Sequence, residues 1–432
     1  MSEHAALEAA ITFDDLALAP EILVAIRELG YSTPTPIQRE AIPLVLSGRD
    51  LLAQAQTGTG KTAAFALPLI HRIRRHANTS ASPARHPVRA LVLAPTRELA
   101  IQVHESIVAY CKNLPLRSAC VYGGVGMHEQ EAALRRGVEI LVATPGRLLD
   151  HAGSKTTLLG QVQFLVIDEA DRMLDMGFLP DLKRILDLLP RTRQTLLFSA
   201  TFDDPITRLA NSFLDNPLKV EVARRNTAAE TVEQLVHKVA EDDKIDALLQ
   251  VMRVREITQA IVFTRTKIAA DKLGRRLQRR GVNAAVIHGD KAQVDRIQAL
   301  DGFKKGEIQL LVATDIAARG IDIAELPCVF NFELPHSPED YVHRIGRTGR
   351  AGASGLAVAL VSPEEEKLLA AVERFIHRQL SASPLPEPPT IDPPRPLPSA
   401  TAPNPILRGR RAAPVCALLR PPVRPAESEP AA

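Results

Sequence analysis

The sequence predicts an α/β protein with two similar domains in tandem, each a parallel sheet flanked by helices. Short apolar runs alternate with helical stretches from Arg49 to Val222, which is typical of βαβ units. A second series of the same kind follows a polar stretch between Arg224 and Glu230. The 432 residues are also too many for one ordinary core, so two domains are expected.

The apolar runs predict the buried strands of both sheets. Each run has about four residues and is rich in Leu, Ile, Val and Ala, as expected for strands covered on both faces. The first series comprises Leu91–Ala94, Ile140–Ala143, Leu165–Ile167 and Thr195–Phe198. The second comprises Ala260–Phe263, Ala284–Ile287, Leu310–Ala313, Val329–Phe332 and Leu356–Ala359.

Three closely spaced carboxylates follow the predicted strand that ends at Ile167. A carboxylate at the carboxyl end of such a strand faces the crevice where open α/β sheets bind ligands. Asp168 is suited to hold Mg²⁺ there through water, and Glu169 to orient or deprotonate an attacking water. Taken alone, the run also fits an ordinary acidic turn after a strand.

A phosphate-binding loop is predicted upstream, between a short apolar strand and an apolar helix. Gly58 and Gly60 allow backbone N–H groups to curl around phosphate oxygens, and the helix N-terminus attracts the same anion. Lys61 offers a point charge to the β- and γ-phosphates, and Thr62 a hydroxyl to Mg²⁺. Ala55 stands where the pattern usually has glycine; a chance Gly-Lys-Thr in a solvated turn is the alternative. The predicted loop comprises Ala55, Gln56, Thr57, Gly58, Thr59, Gly60, Lys61 and Thr62.

Composition predicts a soluble, intracellular protein. The formal net charge of +3 is small for this size, so bulk charge does not by itself indicate a nucleic-acid partner. No apolar run approaches the ~18 residues of a membrane span, and the N-terminus lacks the features of a signal peptide. The spacing of the cysteines suggests neither a zinc site nor a disulfide framework, which fits a reducing cytoplasm. The cysteines are Cys111, Cys120, Cys328 and Cys416.

A proline-rich stretch with scattered arginines is predicted to be a disordered or extended tail. Its arginines would add nonspecific phosphate affinity, or simply be solvated. The phosphate-binding loop occurs in the first domain alone, so the second is expected to serve the first. The predicted divisions are an N-terminal segment at 1–40, a first domain at 41–222, a linker at 223–231, a second domain at 232–380 and the tail at 381–432.

With these motifs in place, residues 11–380 resemble the DEAD-box RNA helicases. The resemblance rests on the phosphate-binding loop, Asp168-Glu-Ala-Asp171 and further motifs in family order, and the wording of Ser199-Ala-Thr-Phe202 and Asp175-Met-Gly-Phe178 is most like the bacterial RhlE-type subgroup. It implies two RecA-like domains, the ATP-binding domain at 41–222 and the helicase C-terminal domain at 232–380.

The segment from Gly30 to Gln38 matches the Q motif of that family. The amide of Gln38 offers a donor and an acceptor, which suits an adenine edge. The resemblance implies that Gln38 selects ATP and that Phe13 or Tyr31 packs near the base. A proline-fixed turn with a core aromatic residue is the alternative for this segment in isolation.

The resemblance also implies that motifs in both domains hold the RNA backbone. Arginines pair with phosphates, threonines hydrogen-bond to them and glycines permit close approach of the main chain, although an isolated arginine after a turn is usually only solvated. The implied residues in the first domain are Thr96, Arg97, Gly124, Thr144 and Arg147. Those in the second domain are Arg265, Gly289, Arg296 and Thr314.

The second domain is further implied to complete the ATP site. Arg347 and Arg350 are candidate arginine fingers, which accelerate phosphoryl transfer by ~10³ to 10⁵ where they are known. Asp322, beside Gly320, would hold the ribose. Without the resemblance, the basic cluster from Arg344 to Arg350 could be a nonspecific phosphate-binding loop, and Ser199-Ala-Thr201 a capping turn. The residues implied to couple the two sites are Ser199, Thr201 and His343.

The expected function is therefore that of an ATP-dependent RNA helicase, with ATP and Mg²⁺ as cofactors. Its domains would close on ATP and single-stranded RNA together, unwinding short duplexes locally or remodelling RNA–protein complexes. An ATP-regulated RNA clamp or scaffold with little turnover is the alternative, and a DNA-directed motor is another. We expect a cytoplasmic monomer without membrane attachment. Ribosome-assembly or RNA-decay proteins would be typical partners.

Overall fold

The computed structural model describes residues 11–55, 59–202, 204–222, 232–318, 326–349 and 355–386. The predicted linker at 223–231 and the predicted tail from residue 387 onwards lie outside these ranges. Within them the chain forms two sheets, and both belong to a single compact unit. We call the first sheet with its helices, up to Val222, the first lobe, and the second sheet with its helices, from Val232, the second lobe.

The first lobe contains a sheet of seven parallel strands in the order β3-β4-β2-β5-β6-β1-β7. Its central strands are fully buried, because helices cover both faces. The strands are β1 (Leu51–Gln54), β2 (Ala90–Leu93), β3 (Ser118–Val121), β4 (Ile140–Ala143), β5 (Phe164–Ile167), β6 (Gln194–Ser199) and β7 (Leu218–Glu221).

Nine α-helices of the described first lobe pack in two layers, one on each face of the sheet, as the alternate residues of β2 show. Val92 joins a core with α1 to α4 on one face, whereas Leu91 joins a core with α5 to α9 on the other. The helices are α1 (Pro20–Glu28), α2 (Pro36–Leu46), α3 (Lys61–Ile73), α4 (Arg97–Tyr110), α5 (His128–Arg135), α6 (Pro145–Gly153), α7 (Ala170–Asp175), α8 (Leu179–Asp187) and α9 (Asp204–Phe213).

The second lobe contains a six-stranded parallel sheet in the order β10-β11-β9-β12-β13-β8. Its strands are β8 (Val232–Lys238), β9 (Ala260–Thr264), β10 (Ala284–Ile287), β11 (Leu310–Thr314), β12 (Cys328–Asn331) and β13 (Gly355–Val361). Its helices are α10 (Lys244–Val254), α11 (Lys267–Arg279), α12 (Gln293–Lys304), α13 (Asp315–Ala318), α14 (Pro338–Ile345) and α15 (Glu366–Ile376). The predicted fold class is thus confirmed.

Two segments outside the predicted domain limits pack against the lobes. In the first lobe, Phe13 and Ile22 join the same core as Ile42, and α2 crosses the predicted limit at residue 40. In the second lobe, the Ser383 N–H donates to the carbonyl of Val236 at 2.8 Å, next to an isolated bridge between Val236 and Ala382. Residues Ala382 and Ser383, which the prediction placed in the tail, therefore contact β8.

No helix within the described ranges is long and apolar enough to cross a membrane. In both sheets the strands run parallel, so their carboxyl ends meet at one edge of each lobe. Several predicted site residues follow these ends, among them Asp168 after β5 and Arg265 after β9.

Candidate active site

Lys61 is the first residue of α3 and lies buried at the phosphate-binding loop. Its Nζ is 3.9 Å from Asp168 Oδ1 and has no hydrogen-bond partner among the described residues. A buried ammonium at a helix N-terminus normally finds an acceptor, and a phosphate oxygen would supply one. The Lys61 ammonium therefore suits the binding of a nucleoside triphosphate.

Gly60 precedes Lys61 in a left-handed conformation, with φ of 90°. A Cβ atom there would overlap the side-chain amide of Gln38, so glycine is required on both grounds. Thr59 and Thr62 flank this turn, as predicted. Ala55 lies just after β1, where its N–H donates to the Ser199 carbonyl at 3.0 Å. Other predicted nucleotide-site residues lie outside the described ranges; these are Gln56, Thr57, Gly58, Gly320, Asp322 and Arg350.

Asp168 and Glu169 follow β5 directly, and both are nearly inaccessible to solvent. Glu169 adopts a left-handed conformation with φ of 50° and ψ of 54°, which costs a non-glycine residue about 1 to 3 kcal/mol. Its N–H donates to Asp168 Oδ1 at 3.0 Å, and Arg172 Nη1 donates to Glu169 Oε2 at 3.3 Å. These contacts hold the two carboxylates in different directions.

The two neighbouring carboxyl groups differ in their affinity for protons. Burial raises the pKa of Asp168 to about 6, although the Lys61 ammonium opposes this. Burial alone would also raise the pKa of Glu169. The positive charges of Lys61, Arg172 and Arg347 outweigh burial there, so the pKa of Glu169 is lowered. Glu169 is therefore readily ionised and suited to accept a proton, whereas Asp168 gains most from a neighbouring cation.

A resident metal would need ligands beyond the protein. Within the described residues, no group of three or more His, Cys, Asp or Glu side chains could hold a metal ion alone. Mg²⁺ in phosphate-transfer sites usually keeps several waters and is bound through one or two protein oxygens and the substrate phosphates. Asp168, with its buried carboxylate beside Lys61, fits that kind of site.

Asp171, the last of the three carboxylates after β5, is hydrogen-bonded to the main chain just after β6. The Ala200 N–H donates to Asp171 Oδ2 at 3.1 Å, and Gln54 Nε2 donates to the Ala200 carbonyl at 3.0 Å. The hydroxyl of Ser199 is buried and accepts from the Thr201 N–H at 3.3 Å. The contact between Asp171 and the end of β6 thus runs through a backbone amide, and the implied coupling role of Ser199 and Thr201 stays a prediction.

A cleft of about 930 Å³ joins residues of both lobes. Lys61, Glu169 and Thr201 line it from the first lobe, and His343 and Arg347 line it from the second. The positive charge of Arg347 contributes to lowering the pKa of Glu169. The structure therefore brings Lys61, Glu169 and Arg347 to one cleft, and Asp168, which does not line the cleft, lies 3.9 Å from Lys61.

Arg344 has a structural role inside the second lobe. The sequence alone indicates it only as part of the basic cluster from Arg344 to Arg350. Its guanidinium pairs in a bidentate manner with Asp315, at 2.6 and 2.7 Å, and lies 5.0 Å from the ring centre of Phe263. It also donates to Asn331 Oδ1 at 2.9 Å and to the Glu333 carbonyl at 2.6 Å. These contacts fix α14, the helix that carries His343 towards the cleft.

Gln38 is buried, and its amide is engaged at both ends. Its Oε1 accepts from the Thr35 N–H at 2.9 Å, and its Nε2 donates to the Gly60 carbonyl at 3.1 Å. One amide hydrogen and one lone pair remain for a base. Phe13 and Tyr31 stack with ring centres 6.3 Å apart and line a separate cavity of about 380 Å³.

The predicted RNA-contacting residues of the first lobe cluster at the carboxyl edge of the sheet. Thr96 caps α4 by accepting from the Leu99 N–H at 3.3 Å. Gly124, with φ of 81°, lies against the Arg97 guanidinium so closely that a Cβ atom would overlap it. Arg147, after the buried Thr144, donates to the Val125 carbonyl at 2.9 Å. Arg147 Nε and Nη1 are buried without hydrogen-bond partners among the described residues.

In the second lobe, two predicted phosphate-binding arginines face carboxylates. Arg296 is largely buried and pairs with Glu98 of the first lobe at 2.9 Å. Arg265 lies 3.9 Å from Glu333 and 3.7 Å from Glu365. Thr314 is buried at the end of β11, whereas Gly289 has Lys267 as its nearest neighbour. In this arrangement the guanidinium of Arg296 is paired with the Glu98 carboxylate, and its implied contact with the RNA backbone stays a prediction.

Comparisons with known proteins cover both lobes. A DEAD/DEAH box helicase model matches residues 35–209, and a helicase conserved C-terminal domain model matches residues 243–352. The ATP-dependent RNA helicase CshA of Listeria monocytogenes is 45% identical over 368 residues, which are 85% of this chain and 69% of that protein. RhpA of Helicobacter pylori, a DEAD-box ATP-dependent RNA helicase, is 42% identical over 375 residues, or 87% of this chain and 74% of that protein.

A solved structure of similar fold covers most of this chain. Dbp5 of S. cerevisiae, bound to RNA and ADP BeF3, matches with a TM-score of 0.77 and 32% identity. The match covers 87% of this chain and 96% of that one. The similarity therefore extends from the phosphate-binding loop to the helices of the second lobe.

Proposed function

This chain belongs to the DEAD-box family of ATP-dependent RNA helicases, and from that premise we propose that it hydrolyses ATP in the cleft that joins Lys61 and Glu169 to Arg347. The observation that carries this proposal is the buried Lys61 ammonium, which has no hydrogen-bond partner among the described residues and lies beside two carboxylates of different pKa. That combination is suited to phosphoryl transfer to water.

Each group of the cleft has a proposed task. Lys61 and the loop Ala55–Thr62 hold the phosphates, and Thr62 and Asp168 hold Mg²⁺, which would neutralise charge on the phosphate oxygens. Glu169 orients the attacking water and takes its proton, because its lowered pKa keeps it ionised. Arg347, and Arg350 by family resemblance, stabilise the charge that develops on the transferred phosphoryl group.

The base and ribose contacts are proposed from the resemblance and from the geometry of Gln38. The remaining donor and acceptor of Gln38 would read adenine while its other bonds fix the phosphate-binding loop. Phe13 or Tyr31 would pack near the base, and Gly320 and Asp322 would hold the ribose. His343 and Thr201, which line the same cleft, would transmit closure of the lobes.

RNA is proposed to lie across the carboxyl edges of both sheets. Buried polar groups with unfilled hydrogen-bonding capacity on Arg147, together with the close approach that Gly124 permits, support backbone contacts there. Thr96, Arg97, Thr144, Arg265, Gly289 and Thr314 remain proposed members of this face. Arg296 is proposed to act through its pair with Glu98, which joins the lobes.

The remaining assignments concern the subgroup, the location, the oligomeric state and the partners. The curated relatives named above are CshA and RhpA, so they do not support the RhlE-type subgroup. The described cysteines are free thiols, which fits a cytoplasmic protein. A monomer, Mg²⁺ as the metal and ribosome-assembly or RNA-decay partners are proposed from family resemblance.

Steady-state ATP hydrolysis tests the proposed function directly. Rates are compared without nucleic acid, with RNA and with single-stranded DNA of the same sequence, using Glu169→Gln as the blank. Stimulation by RNA alone supports RNA-dependent turnover. Equal stimulation by DNA would favour a general nucleic-acid motor, and ATP-dependent RNA binding without turnover would favour the clamp.

A further inference from the structure

Helix α11 of the second lobe presents a strongly basic face to solvent. Its buried side is apolar and packs on the sheet through Ala270, Leu273 and Leu277. On the opposite side Lys272, Arg275 and Arg279 are exposed. Their spacing of three and four residues places them in one row along the helix, about 10 Å from first to last at 1.5 Å per residue. We call these three residues the α11 row.

The acidic groups around this helix are already engaged by other cations. Asp271 pairs with Lys291 at 2.9 Å and lies 3.1 Å from His288. Asp290 pairs with Lys267 at 2.5 Å, and Asp246 pairs with Arg280. Within the described residues, no carboxylate lies within ion-pair distance of the α11 row.

Three like charges in one row repel each other, since residues three and four apart on a helix are neighbours. A row of this kind is either simply solvated or matched by an external polyanion. RNA is the candidate for such an external polyanion, because this family binds RNA. Helix α11 itself begins at the carboxyl edge of the sheet, immediately after Arg265 and Thr266, and Lys272 lies five residues after its first residue.

We propose that the α11 row binds phosphates of the RNA segment that leaves the groove between the lobes. The contacts would be ionic and independent of sequence, because Lys and Arg at an exposed helix face meet the backbone and not the base edges. The row would add affinity for long RNA without taking part in hydrolysis. This inference rests on the proposed RNA face at the carboxyl edge, which fixes where the strand leaves.

The experiment compares wild type with the triple variant Lys272→Gln, Arg275→Gln, Arg279→Gln. Affinity is measured against salt for two RNAs: a short strand that fills only the groove, and the same strand with a long single-stranded or duplex extension. Each phosphate contact contributes roughly 0.7 to the slope of log affinity against log salt for single strands. For the extended RNA the variant should therefore lose about 2 from this slope. For the short strand the slope should not change.

A matched control removes the same charges elsewhere. The variant Lys183→Gln, Arg191→Gln, Arg208→Gln alters one lysine and two arginines that are exposed on the first lobe. It should keep the wild-type slope with both RNAs. An equal loss in both triple variants would mean that net charge alone is responsible, and an unchanged slope in the α11 variant would overturn the proposal. Comparison of single-stranded and duplex extensions shows which form the row contacts.

The readouts separate this proposal from the proposed function. With saturating short RNA, the α11 variant should hydrolyse ATP at the wild-type rate. If wild type itself is not stimulated by RNA, the proposed function fails, whatever the slopes show. If the triple variant does not fold, the single variants each test the proposal through a slope change of roughly 0.7. Loss of a protein partner with an unchanged RNA slope would assign the row to that partner and refute RNA binding.

Discussion

Glu98 of the first lobe and Arg296 of the second form a buried ion pair, with 2.9 Å between Glu98 Oε1 and Arg296 Nη2. Gln293 reinforces it by donating to Glu98 at 3.1 Å and accepting from Arg97 at 3.1 Å. The side chains of Glu98 and Arg296 are 7% and 10% exposed. Residues assigned to RNA by resemblance thus also hold the lobes together at the carboxyl edges of the sheets.

Arg296→Met should weaken the joined arrangement of the lobes. It removes the charge but keeps most of the volume, leaving the Glu98 carboxylate buried without its ion-pair partner. Such a loss costs about 3 to 5 kcal/mol where the site stays closed. We expect a shift towards separated lobes, measured by energy transfer between dyes on the two lobes, and weaker coupling between ATP and RNA binding.

The double variant Glu98→Gln, Arg296→Met is the control, because it leaves no buried charge unpaired. It should be closer to wild type than Arg296→Met alone. If Arg296→Met instead kept wild-type coupling and lost RNA affinity in the absence of nucleotide, Arg296 would be a direct phosphate ligand as the sequence suggested.

Glu169→Gln should bind ATP and RNA but hydrolyse ATP slowly. Glutamine keeps an acceptor for Arg172 and nearly the same shape, yet it cannot take a proton from water. A fall of ~10² to 10⁴ in the single-turnover rate is expected for loss of a general base. RNA should then dissociate slowly in the presence of ATP. Rapid RNA release, or hydrolysis at the wild-type rate, would contradict the role of Glu169.

Arg347→Ala should lower the turnover number by ~10³ or more while ATP remains bound. Arg347→Lys should not restore activity, because a lysine cannot form the two parallel hydrogen bonds of a guanidinium. Arg374→Ala, an exposed arginine on α15, serves as the control and should behave as wild type. Turnover by Arg347→Ala at the wild-type rate would remove Arg347 from the catalytic set.

The sequence predicted the central strands well and missed three at the edges. Buried parallel strands are continuous apolar runs, so β4 and β5 were found to within one residue. The strands β3, β7 and β8 lie at sheet edges and are apolar only at alternate or scattered positions. Such short stretches have too little apolar periodicity to be distinguished from the surrounding loops by sequence.

Site residues within one motif could be proposed from the sequence, whereas pairs distant in sequence could not. Lys61 and Glu169 each belong to a short sequence motif that indicates their chemistry, and both line one cleft in the structure. The pairs Glu98–Arg296 and Arg344–Asp315 depend on how the elements pack, which no local spacing reveals. Arg344 therefore looked like part of a phosphate-binding cluster, although its guanidinium is fully engaged inside the lobe.

Gln38→Ala distinguishes the two tasks that are proposed for its one side-chain amide. The bond from Gln38 to the Gly60 carbonyl supports the phosphate-binding loop, and its loss should weaken any nucleotide. The remaining donor and acceptor are proposed to read adenine, and their loss should weaken ATP alone. We therefore expect kcat/KM to fall for both ATP and GTP, with the larger fall for ATP.

Gln38→Glu sharpens the comparison, because the carboxylate still accepts from the Thr35 N–H but cannot donate to Gly60. It should impair both nucleotides, and more severely than alanine does, since a negative charge then faces the Gly60 carbonyl and lies near the phosphates. The informative quantity is the ratio of kcat/KM for ATP to that for GTP in each variant. An unchanged ratio in Gln38→Ala, with both values lowered, would limit Gln38 to supporting the loop and transfer adenine selection to other residues.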